Sequence, residues 1–219
     1  MNKTLIKKSY LKKINKLKKY NLAYYEKDSP IISDQQYDSL KKKIIDIESE
    51  NKFLNNRESP TQSVGFKPSK NFKKIKHKVP MLSLGNAFNE EDLKNFEKKI
   101  INFLNLEDTS IIEYSAEPKI DGISASLIYI NGKFVKGLSR GDGSEGEDIT
   151  QNLKTIKDIP TQITKIDFPE EIDIRGEVFI ENHDFQKIKD NFANPRNAAS
   201  GSLRQKNSAV TSKIPLKFI

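Results

Sequence analysis

Apolar residues recur at three- and four-residue steps through Ile6, Tyr10, Ile14, Leu17, Tyr20 and Tyr24, which predicts a helix over residues 4–26. The stretch KDSPIISDQQYDSL interrupts it, and Pro30 ends the reach of the first helix. Ser33, followed three residues later by Gln36, is a capping-box pattern, and Ile32 and Tyr37 can form the hydrophobic staple beside it. A second helix follows, with Tyr37, Leu40, Ile44 and Ile47 on one face. Residues 51–80 lose the periodicity and are rich in Asn, Ser, Pro and Gly, which places a domain boundary near residue 68. A third helix is predicted from Glu90 to about Leu104, strands and turns from Ile111 onward, and a further helix over His183–Phe192. The pattern is α+β: a helical part over residues 1–68, then, over residues 69–219, one more helix followed by strands, turns and the further helix.

One hairpin can be placed in detail. In SLIYINGKFVKGL, Asn131-Gly132 separates two β-rich runs, a strong signal for a two-residue turn. Ile130 then faces Lys133, and Ile123 falls opposite Arg140. The turn so returns Arg140 to the start of the first strand, which is preceded by EPKIDG. A strand alternates faces with period two, so Glu117, Lys119 and Asp121 should point the same way. Three charged groups at the head of an apolar strand look like the edge of a site. In IDIRGEVFI, Arg175 and Glu177 share one face while Ile174, Val178 and Ile180 share the other. Such a pair is either a buried-edge ion pair or part of a polar pocket. Gly141–Gly146, GDGSEG, matches G-x-G-x-x-G, but its preceding strand is half of a hairpin and its acids oppose phosphate binding. A tight glycine turn is the better reading.

Composition narrows the chemistry. Hydrophobic residues make up 35% of the 219 and charged residues 31%, polar for a globular protein but short of a disordered one. The chain has no cysteine, which excludes disulfides and cysteine-ligated zinc within it. His77 and His183 are its only histidines and stand far apart in sequence, so histidine-based metal sites and Ser-His-Asp catalysis gain little support. No apolar run reaches membrane-spanning length and the N-terminus lacks the apolar core of a signal peptide, so a cytoplasmic protein without membrane contact is expected. The net charge of +8 and a pI of about 9.3 favour a polyanionic partner such as nucleic acid. The first twenty residues hold eight lysines and no acid. Of only five arginines, four lie after residue 139, among the glycine and acid clusters, where a planar fork suits phosphate or carboxylate.

EPKIDG resembles the K-x-D-G motif of nucleotidyltransferases, in which lysine takes up a nucleoside monophosphate covalently. With YYEKDSPIISDQQYDSL, SPTQSVG, PMLSLGNAF, LSRGDGSEGEDIT, IRGEVFI and FANPRNAASGSLRQ in order, the chain resembles the bacterial NAD-dependent DNA ligases from about Tyr20 to its end. The resemblance implies a helical subdomain recognising the nicotinamide half of NAD, followed by part of the adenylation domain with mainly antiparallel sheets. It implies that Lys119 is the adenylated nucleophile, Glu117 reads the adenine, and Asp121 supports the lysine and the metal chemistry. Arg140 and Glu177 match groups around the AMP ribose, and Ser83 and Leu84 match a segment lining the nucleotide pocket. Tyr24, Asp34, Gln35, Gln36, Tyr37 and Asp38 match the nicotinamide-recognition segment, although Tyr25 stands where some relatives carry histidine. Arg196 and Arg204 resemble arginines near the nucleotide and DNA. The implied cofactors are NAD and Mg²⁺, with no metal ligands assigned in this chain, and the implied partner of the monomer is nicked duplex DNA in replication and repair.

The implied chemistry suits these residue types: a cationic pyridinium can lie over tyrosine faces and ribose hydroxyls suit aspartates. The nucleophile must be neutral, so flanking carboxylates must be engaged elsewhere during attack. Two other readings stay open. An ATP- or GTP-using relative of the RNA ligase or capping type shares K-x-D-G but should lack the helical YY and SDQQYD segment. A non-catalytic nucleic-acid-binding module would keep the charge cluster for structure alone. The chain stops at SKIPLKFI, an alternating run that reads as a strand cut short, so it is expected to be truncated and not to seal nicks alone.

Overall fold

Helix α1, Lys3–Tyr25, and helix α2, Asp34–Glu50, pair through the predicted stripes in the computed structural model. Tyr10, Ile14 and Leu17 are buried with Ile44 and Leu54, and Ile6, Tyr37, Leu40 and Ile47 pack around them. The capping box at the start of α2 forms: Ser33 Oγ accepts from Gln36 N–H, and Gln36 Oε1 accepts from Ser33 N–H. Tyr10 Oη donates to Glu48 Oε1 at 2.7 Å, and burial together with that carboxylate raises the phenol above its ordinary pKa. The structure describes residues 3–25, 31–54, 59–61, 72–107, 110–164 and 167–219. Pro30 and the boundary expected near residue 68 lie outside the described residues.

Strand β1, Lys74–Lys76, precedes helix α3, Glu90–Leu104, which has the bounds its periodicity predicts. Asn89 Oδ1 caps α3 by accepting from Asp92 N–H at 2.8 Å, and three acids in its first turn suit the positive end of the helix dipole. Asn105, left-handed with φ 51°, closes it. The chain divides into two units, Met1–Met81 with Ile120–Ile219, and Leu82–Lys119, the unit that contains α3.

The first unit is organised by β2, Ile123–Ile130, β3, Lys133–Ser139, the short β4, Glu145–Glu147, helix α4, Thr150–Leu153, and β5, Glu171–Phe179. Helices α5, Asn182–Phe185, α6, Pro195–Leu203, and α7, Ser208–Thr211, then lead to β6, Lys217–Phe218. The sheet order is β3-β2-β5-β6, all antiparallel, with β1 and β4 forming a separate pair. Leu127, Tyr129, Val178 and Phe134 fill its core with Leu153, Ala198, Ala199 and Leu203 from the helices. SKIPLKFI does add a strand, where Phe218 pairs with Val178 and Lys217 with Phe179.

Three expectations need correcting. Asn131 (φ 48°) and Gly132 (φ 75°) make the predicted turn, but the register slips after Tyr129–Phe134. Ile128 pairs with Lys136, leaving Val135 as an exposed extra residue, a β-bulge. Arg140 thus follows Ser139 off the ladder one position from its expected place opposite Ile123. Second, Glu117, Lys119 and Asp121 are not on a strand: β2 begins at Ile123, and Pro118, with no N–H to offer a ladder, lies in irregular backbone. Third, the helix expected over His183–Phe192 is only α5 and a separate 3₁₀ turn at Lys189–Asn191. Phe185, Ile188 and Phe192 still reach the core, but the β-branched Ile188 and the Asp190-Asn191 pair are weak helix formers. The helix α6 went unpredicted although Asn194 caps it and Pro195 opens it, a start signal present in the sequence.

Gly122 allows β2 to approach β5. A Cβ there would lie 2.2 Å from the Val178 carbonyl oxygen, a backbone atom that cannot step aside. Gly122→Ala is expected to destabilise the first unit by about 1–3 kcal/mol, read as a lower urea midpoint with an unchanged slope.

Candidate active site

The register of three strands gathers polar groups at one end of the sheet. Ala125 of β2 lies between Ser139 of β3 and Gly176 of β5. Asp121 and Gly122 enter β2 there, Arg140 leaves β3 there, and Glu177 of β5 pairs with Ser124. Ser124 Oγ donates to Glu177 Oε2 at 2.8 Å, which orients that carboxylate on the polar face of the sheet. Asp121 Oδ1 accepts from Arg196 Nη1 at 3.0 Å. Arg196 is brought there by α6, whose Ala198, Ala199 and Leu203 are buried against the sheet. Asp121 is well exposed, so this pair contributes little stability and leaves the carboxylate accessible to a ligand.

The turn that carries Arg140 is held from below. Gly141 (φ 59°) and Gly143 (φ 91°) take left-handed conformations, and Asp142 Oδ1 accepts from the N–H groups of Ser144 and Glu145 at 2.9 Å each. The turn runs into β4 rather than a helix, so GDGSEG is the glycine turn expected and not a dinucleotide fingerprint. His77 is buried beneath it, with Nε2 3.2 Å from the Arg140 carbonyl oxygen, and its N–H donates to Ser144 O. Met81 N–H donates to Gly143 O. Arg175 clamps the same segment, donating to Val79 O at 2.5 Å and Pro80 O at 3.1 Å while paired with Asp173. The two options for the charged pair on β5 thus separate: Arg175 serves Asp173 and the backbone, whereas Glu177 serves Ser124.

Arg204, the C-cap of α6, is paired with a buried carboxylate of β4. Its Nε donates to Glu147 Oε2 at 3.2 Å, and Glu147 is 1% exposed. Lys119 and Glu117 belong to the second unit, in irregular backbone; Lys119 is its last residue, two positions before Asp121 along the chain. Ser83 and Leu84 lie in the same unit, in the irregular stretch before α3. In the helical part, Gln35 is exposed, the Gln36 amide is engaged in the capping box, and Asp38 is half-buried. Tyr37 is half-buried against the helix pair and its hydroxyl donates to Asn21 Oδ1 at 2.7 Å. Tyr24 and Asp34 lie in α1 and α2, and their side chains are outside the described part.

Sequence reasoning missed His77, Ser124, Asp173 and Glu147. Ser124 and Ser126 alternate on the polar face of β2, a legible signal; Ser126 Oγ donates to Asp173 Oδ1 at 2.6 Å. His77 carries no such signal, because its contact with Arg140 spans 63 residues. Carboxylates and guanidinium groups at one sheet end suit a ligand with both hydroxyls and phosphate.

The profile of the NAD-dependent DNA ligase adenylation domain matches residues 69–219, and that of the DNA ligase-like N-terminal NAD⁺-binding domain matches residues 4–65. A protein named DNA ligase from Pelagibacter ubique is 75% identical over 219 residues, covering all of this chain and 32% of that one. Those from Parvibaculum lavamentivorans and Maricaulis maris are 47% and 48% identical over 92% and 91% of this chain, each covered to 30%. The chain thus spans about a third of the length of these relatives.

Removing the Arg204 guanidinium leaves a carboxylate facing the core. Arg204→Ala is expected to cost about 2–3 kcal/mol, less than for a fully buried pair because the arginine is about a third exposed. Arg204→Lys should recover part of it, and urea denaturation of the two variants checks both.

Proposed function

The chain belongs to the NAD-dependent DNA ligase family, and we propose that it takes AMP from NAD onto Lys119 as the first step in joining DNA ends. The observation that carries this reading is the meeting of Asp121, Arg140 and Glu177 at the sheet end entered by K-x-D-G. The Lys119 amine, having lost its proton, attacks the α-phosphorus of NAD. A nitrogen–phosphorus bond forms, the bond to the bridging oxygen breaks, and nicotinamide mononucleotide leaves with that oxygen. Arg140 stabilises the charge developing on phosphorus, and Glu177, oriented by Ser124, takes a ribose hydroxyl. The resemblance gives Glu117 the role of reading the adenine, Ser83 and Leu84 that of lining the nucleotide pocket, and Arg196 and Arg204 that of serving nucleotide and DNA.

The work divides between a helical part, residues 1–68, and an adenylation part, residues 69–219. In the first, Tyr24, Asp34, Gln35, Gln36, Tyr37 and Asp38 hold the nicotinamide half. Among the described residues, neither Asp121 nor Glu177 belongs to a cluster of three or more metal-ligating side chains. Mg²⁺ would be held chiefly by the phosphates of NAD, where it would supply charge neutralisation. The AMP then activates the 5′-phosphate of a nicked duplex for attack by the 3′-hydroxyl. Among the described residues no helix is long and apolar enough to cross a membrane.

Incubation with NAD or with ATP, followed by intact mass measurement, tests the first step. An AMP adduct from NAD and not from ATP is expected, mapped by peptide sequencing to Lys119. Lys119→Ala and Lys119→Arg should both abolish it, since a guanidinium stays protonated. AMP on another lysine, or labelling by ATP alone, overturns the assignment.

The division of labour has its own check. Asp38→Ala and Tyr37→Ala should weaken binding of nicotinamide mononucleotide about tenfold, while AMP binding, followed by the same calorimetric titration, stays within about twofold. Tyr37→Phe, which keeps the packing and loses the hydroxyl with its bond to Asn21, separates ring stacking from the hydroxyl.

A further inference from the structure

The whole net charge of this chain sits on one helix. The sequence has 38 Lys and Arg against 30 Asp and Glu, and α1 alone holds eight lysines and no acid. Outside α1 the counts are therefore equal, 30 and 30. A general enrichment in lysine would not sort the acids out of one helix, and α2 and α3 mix both signs along their length.

The lysines of α1 are also arranged. Lys8, Lys12, Lys16 and Lys19 follow at steps of four, four and three, which sets them on one face. Tyr10, Ile14 and Leu17 are buried on the opposite face. All four lysines are exposed, and among the described residues none of them forms an ion pair. Lys16 lies 5.7 Å from the Tyr20 ring, a contact that leaves its charge intact. At 1.5 Å per residue the four charges extend over about 16 Å. Lys8 with Lys12, and Lys12 with Lys16, are like-charged neighbours that work against the helix, so the fold gains nothing from the stripe.

We propose that this stripe docks on the sugar-phosphate backbone of duplex DNA and holds it without regard to sequence. The proposal rests on the reading of the chain as part of a DNA-joining enzyme and adds a contact site remote in sequence from K-x-D-G. The stripe has point charges suited to phosphate and no arginine fork or exposed aromatic ring to read or stack a base. An anionic membrane is a poorer match, because the apolar face of α1 is already buried and cannot insert.

The test is fluorescence anisotropy with labelled, unnicked duplexes of unrelated sequence over a range of salt. It compares the parent chain, a stripe variant (Lys8→Gln, Lys12→Gln, Lys16→Gln and Lys19→Gln together), and a control. The control carries Lys154→Gln, Lys157→Gln, Lys206→Gln and Lys213→Gln, four exposed lysines outside α1. The stripe variant should bind at least tenfold more weakly at low salt, with a log–log salt slope shallower by about three to four. The control should keep the parent's affinity and slope. Circular dichroism should show full helicity in the stripe variant, since the change removes like-charge repulsion.

Equal binding by stripe variant and parent, an equal loss in the control, or no duplex binding by the parent overturns the proposal. So does a parent that binds phosphatidylserine vesicles more tightly than duplex. Intact mass after incubation with NAD, taken on parent and stripe variant, keeps the two readings apart. AMP adducts on both with unchanged DNA binding sink the stripe and leave the ligase reading standing. A stripe-dependent loss of binding with no adduct on either sinks the enzyme reading instead.

Discussion

Strand β2 is paired along its whole length, from Ile123–Val178 to Ile130–Glu171, and the candidate site depends on that pairing. An antiparallel strand between two neighbours has no freedom to slip, because a one-residue shift would move Leu127 and Tyr129 out of the core and bring Ser124 and Ser126 into it. The residues before and after the ladder inherit this precision. Gly122 lets the backbone enter against Val178, Ser124 meets Glu177, and Ser139 hands Arg140 to the turn beyond. The bulge at Val135 takes up one residue on the outer strand, so the inner strand keeps its alternation.

What the sequence made legible follows local rules. The capping box at Ser33, the helix α3 and the Asn131-Gly132 turn each rest on residues within a few positions of one another, and each appears in the structure. What stayed hidden depends on residues far apart in sequence or on irregular backbone. A bulge changes register by one residue with no compositional mark, and Pro118 in EPKIDG was a warning against strand geometry that the even spacing of charges obscured. Arg175 could be assigned to a face but not to Val79 and Pro80, nearly a hundred positions away. For the site itself, the hairpin was enough to bring Arg140 to the end where β2 begins, but His77 beneath the turn was beyond any local pattern.

The polar groups of the first unit are held mostly in partnered form. Asp121 has Arg196, Glu147 has Arg204, Asp173 has Arg175 and Ser126, and Glu177 has Ser124. Their exposure separates the structural pairs from those that a ligand can exchange. Glu147 is almost wholly buried, and a carboxylate at such depth is expensive to strip of its partner. Asp121 is open to water, so its arginine can be exchanged for another partner at small cost. Two carboxylates with similar partners are thereby suited to opposite tasks, one locking α6 and its following turn to β4, the other available to a ligand.

The same contrast applies to the chain as a whole. Paired charges act over a few ångströms and are largely insensitive to salt when desolvated, whereas the unpaired lysines of α1 act across a Debye length of about 10 Å at 0.1 M salt. A helix that carries all the net charge can raise the local concentration of a polyanion without selecting among its sequences. The balanced remainder can then discriminate by geometry. The cost of concentrating like charge falls on a helix whose opposite face is secured by Tyr10, Ile14 and Leu17 against Ile44 and Leu54. That buried seam is what permits α1 to tolerate a basic face with no acid among its residues.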